Sequence, residues 1–344
     1  MGEPTEGASG ALDALNRRAS RARVPVWALW ELTHRCPLAC RHCYLEGARE
    51  GAELDARETD LLLRELADAG TVFLVLSGGD PLVRDDFLDV VDRARELGFA
   101  WKVLTSGMLV DDAMADAIAA RLPLEVSMSL HGLRRAHDEI ASRPGAFDAV
   151  LGAARRLIAR GVRVLLKTVV TPAGAGDVAA VRDLCDRLGA RHVVSTRHIP
   201  GFDGGEAQDP FCLSDAQLAG QLDGGASAPV GPHRLLRPDE ALCNAGRSAL
   251  AISPRGDVRA CLLMREVCGN VRETPLSEIW RGEAMRRLAG LVAGGRARCA
   301  SCADAAFCSY CPGLAEAETG DPLVPAEAIC REARLRRERY EARA

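Results

Sequence analysis

The chain has 344 residues, 13 cysteines and a formal net charge of −4, with a pI near 6.0. This length suits about two domains with ample core. The mild acidity leaves no electrostatic footprint for nucleic acid or an anionic membrane as partner. No apolar run approaches the roughly 18 residues that span a bilayer. The first residues carry Arg17, Arg18, Arg21 and Arg23 without a hydrophobic stretch, so they do not read as a secretory signal. Residues 1–25 are expected to be a flexible tail or a short surface helix. So many cysteines without an export signal argue for metal ligation over disulfides, and for a reducing, cytoplasmic setting. The abundance of Ala, Arg and Gly follows base composition and carries no functional weight.

The first β-prone run, Val26–Leu32, leads into Cys36-Pro37-Leu38-Ala39-Cys40-Arg41-His42-Cys43. Three bunched thiolates suit an iron–sulfur cube, each anchoring one iron corner. The fourth corner then stays open, as chemical metal sites do and structural ones do not. The competing readings are three core cysteines or a zinc loop completed by His34 or His42. Further β-prone runs follow at Val72–Leu76, Ala100–Thr105, Leu124–Leu130, Val162–Thr171 and His192–Ile199. Helical periodicity lies between them at Asp55–Ala69, Arg84–Leu97, Asp111–Arg121, Phe147–Arg160 and Gly176–Leu188. Such alternation predicts parallel strands with right-handed helical crossovers. Six units make a partial (β/α)6 TIM-like barrel, whose functional residues belong at the C-terminal strand ends.

Those ends carry distinctive residues. The second strand exits through Ser77-Gly78-Gly79-Asp80-Pro81, where glycines permit a close approach or positive φ and Pro81 fixes the exit. The third ends at Thr105-Ser106-Gly107 and the fourth at Ser129-Leu130-His131-Gly132. His131 could touch a substrate or bond locally to its loop. Lys167, on the fifth strand, is either a charge in the lumen or a snorkelling edge residue. Cys185 reads as a small buried hydrophobe.

Between Pro200 and Pro238 glycine and proline accumulate, marking residues 201–238 as a bridge with a short helix near Ser214–Leu222. Residues 239–344 then form a small cysteine-rich unit. Pro254-Arg255-Gly256-Asp257 separates two β-prone runs, so a hairpin should bring Cys243 near Cys261. Cys299, Cys302, Cys308, Cys311 and Cys330 follow. Taken alone, Cys299, Cys302, Cys308 and Cys311 could hold one tetrahedral zinc.

The Cys-x3-Cys-x2-Cys loop after a first strand resembles the signature of the radical S-adenosylmethionine (SAM) enzymes. The resemblance implies that Cys36, Cys40 and Cys43 hold a 4Fe–4S cluster whose free iron chelates SAM. Reductive cleavage there yields a 5′-deoxyadenosyl radical that abstracts a substrate hydrogen. By the same resemblance Gly78, Gly79, Asp80 and Pro81 correspond to the GGEP segment that meets the methionyl amine, with aspartate in place of glutamate. Ser129, and less strongly Ser106, would meet the SAM carboxylate or ribose, and His42 would lie beside the adenine. Many relatives carry an arginine about a dozen residues past the serine; Ala141 stands there, and Arg143 lies two residues on. His131, His137 and Asp138 lie in a segment similar to one in peptide-modifying members.

The C-terminal cysteines resemble the SPASM extension, which holds two auxiliary 4Fe–4S clusters, making three in all. The family pattern assigns Cys299, Cys302, Cys308 and Cys330 to one and Cys243, Cys261 and Cys311 to the other. The latter's fourth ligand stays open between Cys268, Cys212 and none. SPASM enzymes mostly modify peptides. Leu262 stands where the sulfatase-maturing branch has its aspartate base, which argues against that activity. The stretch before the first strand is too short for an independent leader-binding domain. The expected partners are therefore a precursor peptide, a separate leader-peptide-binding protein, and an electron donor such as flavodoxin or ferredoxin. The alternatives are a radical SAM enzyme of a small metabolite, an amino sugar or a tetrapyrrole, and a non-catalytic zinc scaffold.

Overall fold

The computed structural model describes residues 6–45, 51–198, 210–223 and 231–343. Six parallel strands form in the expected order: β1 Trp27–Thr33, β2 Phe73–Gly78, β3 Ala100–Thr105, β4 Glu125–Ser129, β5 Val164–Val169 and β6 Arg191–Ser195. The crossovers are α2 Ala56–Asp68, α3 Phe87–Glu96, α4 Asp112–Ala120, the pair α5 Arg134–Ile140 and α6 Ala146–Ala159, and α7 Val178–Leu188. Local chemistry explains their limits. Asp55 and Glu58 form a reciprocal capping box on α2, Asp111 caps α4, and Gly189 ends α7 in the left-handed conformation. The short α5 lacks a sequence signal because its seven residues span barely two turns.

Strand alternation sorts the two faces of the sheet. Trp30, Leu76, Val103, Met128 and Leu166 face the helices and are buried. The opposite parity, including Glu31, Ser77, Lys102, Ser127, Ser129 and Lys167, faces the lumen. That polar lining is unlike a filled barrel core.

Past the bridge, the chain returns to this sheet. The stretches 201–209 and 224–230 lie outside the described residues, as does Ile199. Helix α8, Asp215–Asp223, stands where the short bridging helix is expected. The expected hairpin follows as β7 Ala249–Ile252 and β8 Asp257–Arg259, with a short β9 at Gly269–Asn270. It does not stand apart as its own sheet: β7 pairs in parallel with β1, giving the order β6-β5-β4-β3-β2-β1-β7-β8-β9. Because β7 occupies the edge that β6 would need, the barrel stays open. One apolar cluster runs from the barrel through Leu250, Ile252 and Val258 into Ile279, Trp280 and Met285. The last three belong to α9 Leu276–Arg281 and α10 Glu283–Ala289.

Of the two expectations for the N-terminal stretch, the structure shows the helix and not the flexible tail. The stretch forms α1, Glu6–Ala22, with Ala19 buried, Asn16 accepting from the Trp27 indole at 2.9 Å and Ser20 accepting from Arg247 at 3.0 Å. Its arginines had obscured this docked face. At the other end α12, Glu327–Glu341, follows α11, Pro312–Thr319. Leu335 of α12 packs with Leu218 and Leu222 of α8. Arg197, just past β6, donates to Ser309 O at 2.6 Å and to the buried Glu332 at 2.8 Å, tying the barrel to the cysteine-rich region.

The hairpin turn yields a test of the shared sheet. Gly256 has φ +90, and a Cβ there would meet Val271 at 2.8 Å. Gly98 also has positive φ, at +86, but faces open space. Gly256→Ala should therefore destabilise the fold more than Gly98→Ala, by about a further 1–3 kcal/mol of overpacking, and melt at the lower temperature. Equal losses in calorimetry would mean that only backbone strain operates at both.

Candidate functional site

The cysteine loop is built from beneath by backbone contact. Gly79 N–H donates to Thr33 O at 2.7 Å and Asp80 N–H to Arg35 O at 2.9 Å. A Cβ on Gly78 would lie 2.0 Å from Thr33 O, and one on Gly79 2.3 Å from Arg35 O. Both positions therefore require glycine, and Gly78 also sits at φ 128. The close approach that the glycines permit is to the chain's own backbone.

Asp80 is wholly buried. Its carboxylate accepts from Thr105 Oγ1 at 2.9 Å, Ser106 N at 3.0 Å, Ser106 Oγ at 2.5 Å and Leu82 N at 3.1 Å. It thus binds the end of β2 to the end of β3. Burial pushes its pKa up, and these hydrogen bonds oppose that shift. Pro81 begins the 3-10 turn Pro81–Val83 that Asp80 caps. The Ser106 hydroxyl, expected toward SAM, is directed at Asp80 instead. Ser129 is exposed at the end of β4, beside Lys167 in register.

From above, the segment after β4 grips the loop. Arg41 N–H donates to Ile140 O at 2.9 Å, and Arg143 donates to Pro37 O at 3.0 Å. Arg143 therefore supports the cysteine loop, a role that counting residues from the serine does not reveal. Leu38 packs on Ala141 and Ala146, with Cys36 and Cys40 against the same cluster. Below the loop, Tyr44 donates to buried Glu31 at 2.7 Å, and Arg35 N–H donates to Thr33 Oγ1 at 3.0 Å. Glu31 and Tyr44 escaped the sequence reading. Their signal was a charged residue at a lumen position of β1 and a tyrosine directly after Cys43.

Cys36, Cys40 and Cys43 are brought together. Burial, followed by its two neighbours, raises the Cys40 thiol to about 12, so without a cation the thiolate is disfavoured and with one it is the natural donor. A trio of half-buried, mutually repelling thiols fits a group that supplies positive charge. Beside it stands a group of imidazoles: His42 meets His131 edge-on at 4.5 Å and lies tilted 5.6 Å from His198, while His131 stacks on His137 at 5.8 Å. The buried His131 donates its backbone N–H to His137 Nδ1 at 3.1 Å, so a local bond is present. Asp138 accepts from Gly145 and Phe147 N–H, both at 2.8 Å, and starts α6.

The remaining thiols separate into two groups by mutual charge. Cys261 feels Cys311 and Cys243. Cys330 feels Cys299 and Cys302, and Cys308 feels Cys330 and Cys299. Cys311 thus sides with Cys243 and Cys261, and Cys308 with Cys299 and Cys330, although the two are near neighbours in sequence. Cys268 answers instead to Glu266, Arg287 and Arg259. Cys212 follows Phe211, whose ring lies 6.1 Å from that of His42, so it belongs to the mouth of the barrel. Cys185 is buried, as expected. Among the described residues no three His, Cys, Asp or Glu side chains close on a point that would hold a lone metal ion.

Family models match in two places: the radical SAM superfamily over residues 30–185 and the SPASM iron–sulfur cluster-binding domain over residues 243–312. An Fe-coproporphyrin III synthase of Methanosarcina barkeri is 29% identical over 330 residues, covering 82% of each chain. A PqqA peptide cyclase of Gluconobacter oxydans is 30% identical over 274 residues, covering 74% of this chain and 76% of the relative. The crystal structure of Streptococcus suis SuiB bound to precursor peptide SuiA superposes with a TM-score of 0.69 at 16% identity, over 96% of this chain and 82% of that one.

Two predictions follow from this geometry. Gly79→Ala should push Arg35 and the cysteine loop out of place, slowing SAM cleavage by about tenfold or more, because a displacement near 1 Å can cost up to 10²-fold. Its iron content should fall by the fraction that Cys40→Ala also removes. Unchanged cleavage and iron would show that the loop accommodates the methyl group. The second concerns His137, whose pKa burial lowers to about 4. The unfolded chain binds more protons between pH 6.5 and 4, so this contribution is complete above 6.5 and is lost as pH falls. The slope approaches about 1.4 kcal/mol per pH unit. His137→Asn, which keeps an acceptor for His131, should flatten the fall in melting temperature between pH 7 and 5; an unaltered slope would place the titration elsewhere.

Proposed function

The chain belongs to the radical SAM superfamily and carries a SPASM region, and from that footing we propose that it modifies a ribosomally made precursor peptide by crosslinking or oxidising it. It is an enzyme that uses SAM, a SAM-binding 4Fe–4S cluster and auxiliary iron–sulfur clusters. The observation carrying the proposal is the union of both cysteine regions on one sheet, in the fold of an enzyme solved with its precursor peptide bound. When bound, the clusters and SAM supply a carbon radical able to take one substrate hydrogen, and sites for the electron that remains.

The protein's own residues do the positioning. Cys36, Cys40 and Cys43 would hold the SAM cluster, clamped by Gly78, Gly79 and Arg143. Ser129 and the His42 ring would meet the bound cofactor. The methionyl amine donates through its N–H groups and needs oxygen acceptors, so the carbonyls of the Gly78–Gly79 turn suit it better than the turn's own N–H groups, already engaged by the loop. Cys243, Cys261 and Cys311 would hold one auxiliary cluster, with its fourth position unassigned. Cys299, Cys302, Cys308 and Cys330 would hold the other. An open-mouthed polar lumen admits an extended segment and leaves the rest of a peptide outside. We assign reduction to a flavodoxin or ferredoxin, leader recognition to a separate binding protein, and the site of action to the cytoplasm, whose reductants keep thiols available. No described helix is long and apolar enough to cross a membrane.

A small-metabolite reading, a tetrapyrrole above all, has the Fe-coproporphyrin III synthase relative in its favour. Incubating the reconstituted enzyme with peptides encoded beside its gene and seeking a two-hydrogen mass loss separates the two. If a tetrapyrrole is transformed and no such peptide is, the peptide assignment fails. Cys40→Ala should abolish SAM cleavage, whereas Cys308→Ala should keep uncoupled cleavage and lose product. Equal loss of cleavage in both, read by 5′-deoxyadenosine release, would reduce the auxiliary region to a folding role.

A further inference from the structure

The chain contains 44 basic residues, and only two of them, Lys102 and Lys167, are lysine. Everywhere else the composition has settled on arginine. Both lysines occupy lumen-facing parity of the barrel, on β3 and β5. Trp101, Val103, Leu166 and Thr168, their chain neighbours, are buried on the helix side. A compact ammonium on a flexible four-carbon stem can reach into a lumen as a point charge, which a planar guanidinium does less readily. Composition and placement thus single out the same two positions.

Among the described residues no carboxylate forms an ion pair with either lysine. Lys167 is solvent-accessible near the end of β5, in register with Ser129, and partly desolvated by its neighbours. Burial lowers its pKa, and the like charge of Lys102 lowers it further, with no carboxylate opposing either effect. Glu125 is the cross-strand neighbour of Lys102, but its carboxylate accepts from Ser127 and Arg191, both at 3.0 Å. Glu31 accepts from Tyr44. Two ammonium groups that repel one another in a partly desolvated space favour an anion arriving between them.

Depth decides which anion. Lys102 lies three residues before Thr105, which meets Asp80 at the mouth, so it sits about 10 Å down the strand. Lys167 is near the mouth, close enough to lower the pKa of His131, itself beside His42. The pair therefore descends from the cofactor end into the lumen, on the strands away from β1 and the cysteine loop. We propose that Lys102 and Lys167 form a carboxylate-binding pair that selects an acidic group of the substrate, an Asp or Glu side chain or a C-terminal carboxylate. This rests on the peptide reading for its substrate and adds the chemical feature that the peptide must carry.

Having only two lysines makes the test direct. The anaerobically reconstituted enzyme, saturated with SAM, is acetylated with an N-hydroxysuccinimide ester, and modification of Lys102 and Lys167 is read by mass spectrometry. Glutarate is the probe and glutaramide its neutral control. Glutarate should slow acetylation of both lysines about fivefold when present at about four times its dissociation constant, and glutaramide should not. Before glutarate is added, SAM and decarboxylated SAM should leave the same labelling pattern. Protection by SAM but not by decarboxylated SAM would give the pair to the cofactor's carboxylate and overturn the assignment. Absence of glutarate protection would overturn it as well. The footprint reads anion binding whether the physiological acid is a peptide or a metabolite, so its failure is distinct from failure of the precursor assay.

Discussion

The contact on which the rest depends has no side chains in it. Where Gly78 and Gly79 meet Thr33, His34 and Arg35, two stretches of backbone touch at distances that any Cβ would forbid. That contact sets the height of the cysteine loop above the sheet. Arg143 and Leu38 then fix it from the other side. Asp80 carries the order onward to β3 through Thr105 and Ser106. A short acid suits this task, because its carboxylate must stop at the neighbouring strand end. Three thiols that would otherwise repel one another are held where a shared cation-rich group can unite them.

Much of this was legible in the sequence. The strand–helix alternation and the N-terminal cysteine trio rest on local periodicity and spacing, which report local structure well, whereas the division of the C-terminal cysteines came from family resemblance. Sequence spacing also anticipated the Gly256 turn and the nearness of Cys243 and Cys261. It was silent on partners distant along the chain. Nothing near Ala249 announces that β7 will join β1, and nothing near Arg143 announces Pro37. Ser106 shows the converse: a hydroxyl at the right strand end suggests a ligand contact, but the nearest acceptor is the protein's own Asp80. The N-terminal arginines suggested solvation, and the small residues among them proved to be the packed face.

The second cysteine region is thus joined to the first by shared hydrogen bonds and a shared apolar core. Arg272 strengthens the join. It holds Glu58 through two guanidinium nitrogens, at 2.7 and 2.9 Å, and donates to Ala52 O and Glu53 O at 3.1 and 3.0 Å. The residues just before α2 are thereby anchored to the hairpin rather than to the barrel alone.

The β1–β7 ladder has one more consequence. Cys36 lies past the C-terminal end of β1, whereas Cys243 precedes β7 and Cys261 follows the returning β8, so the two groups lie at opposite ends of the sheet. Paired strands hardly stretch, and the seven residues of β1 measure about 20 Å. The sheet therefore works as a ruler that sets the distance between the two cysteine groups, and nothing bound between them can widen it.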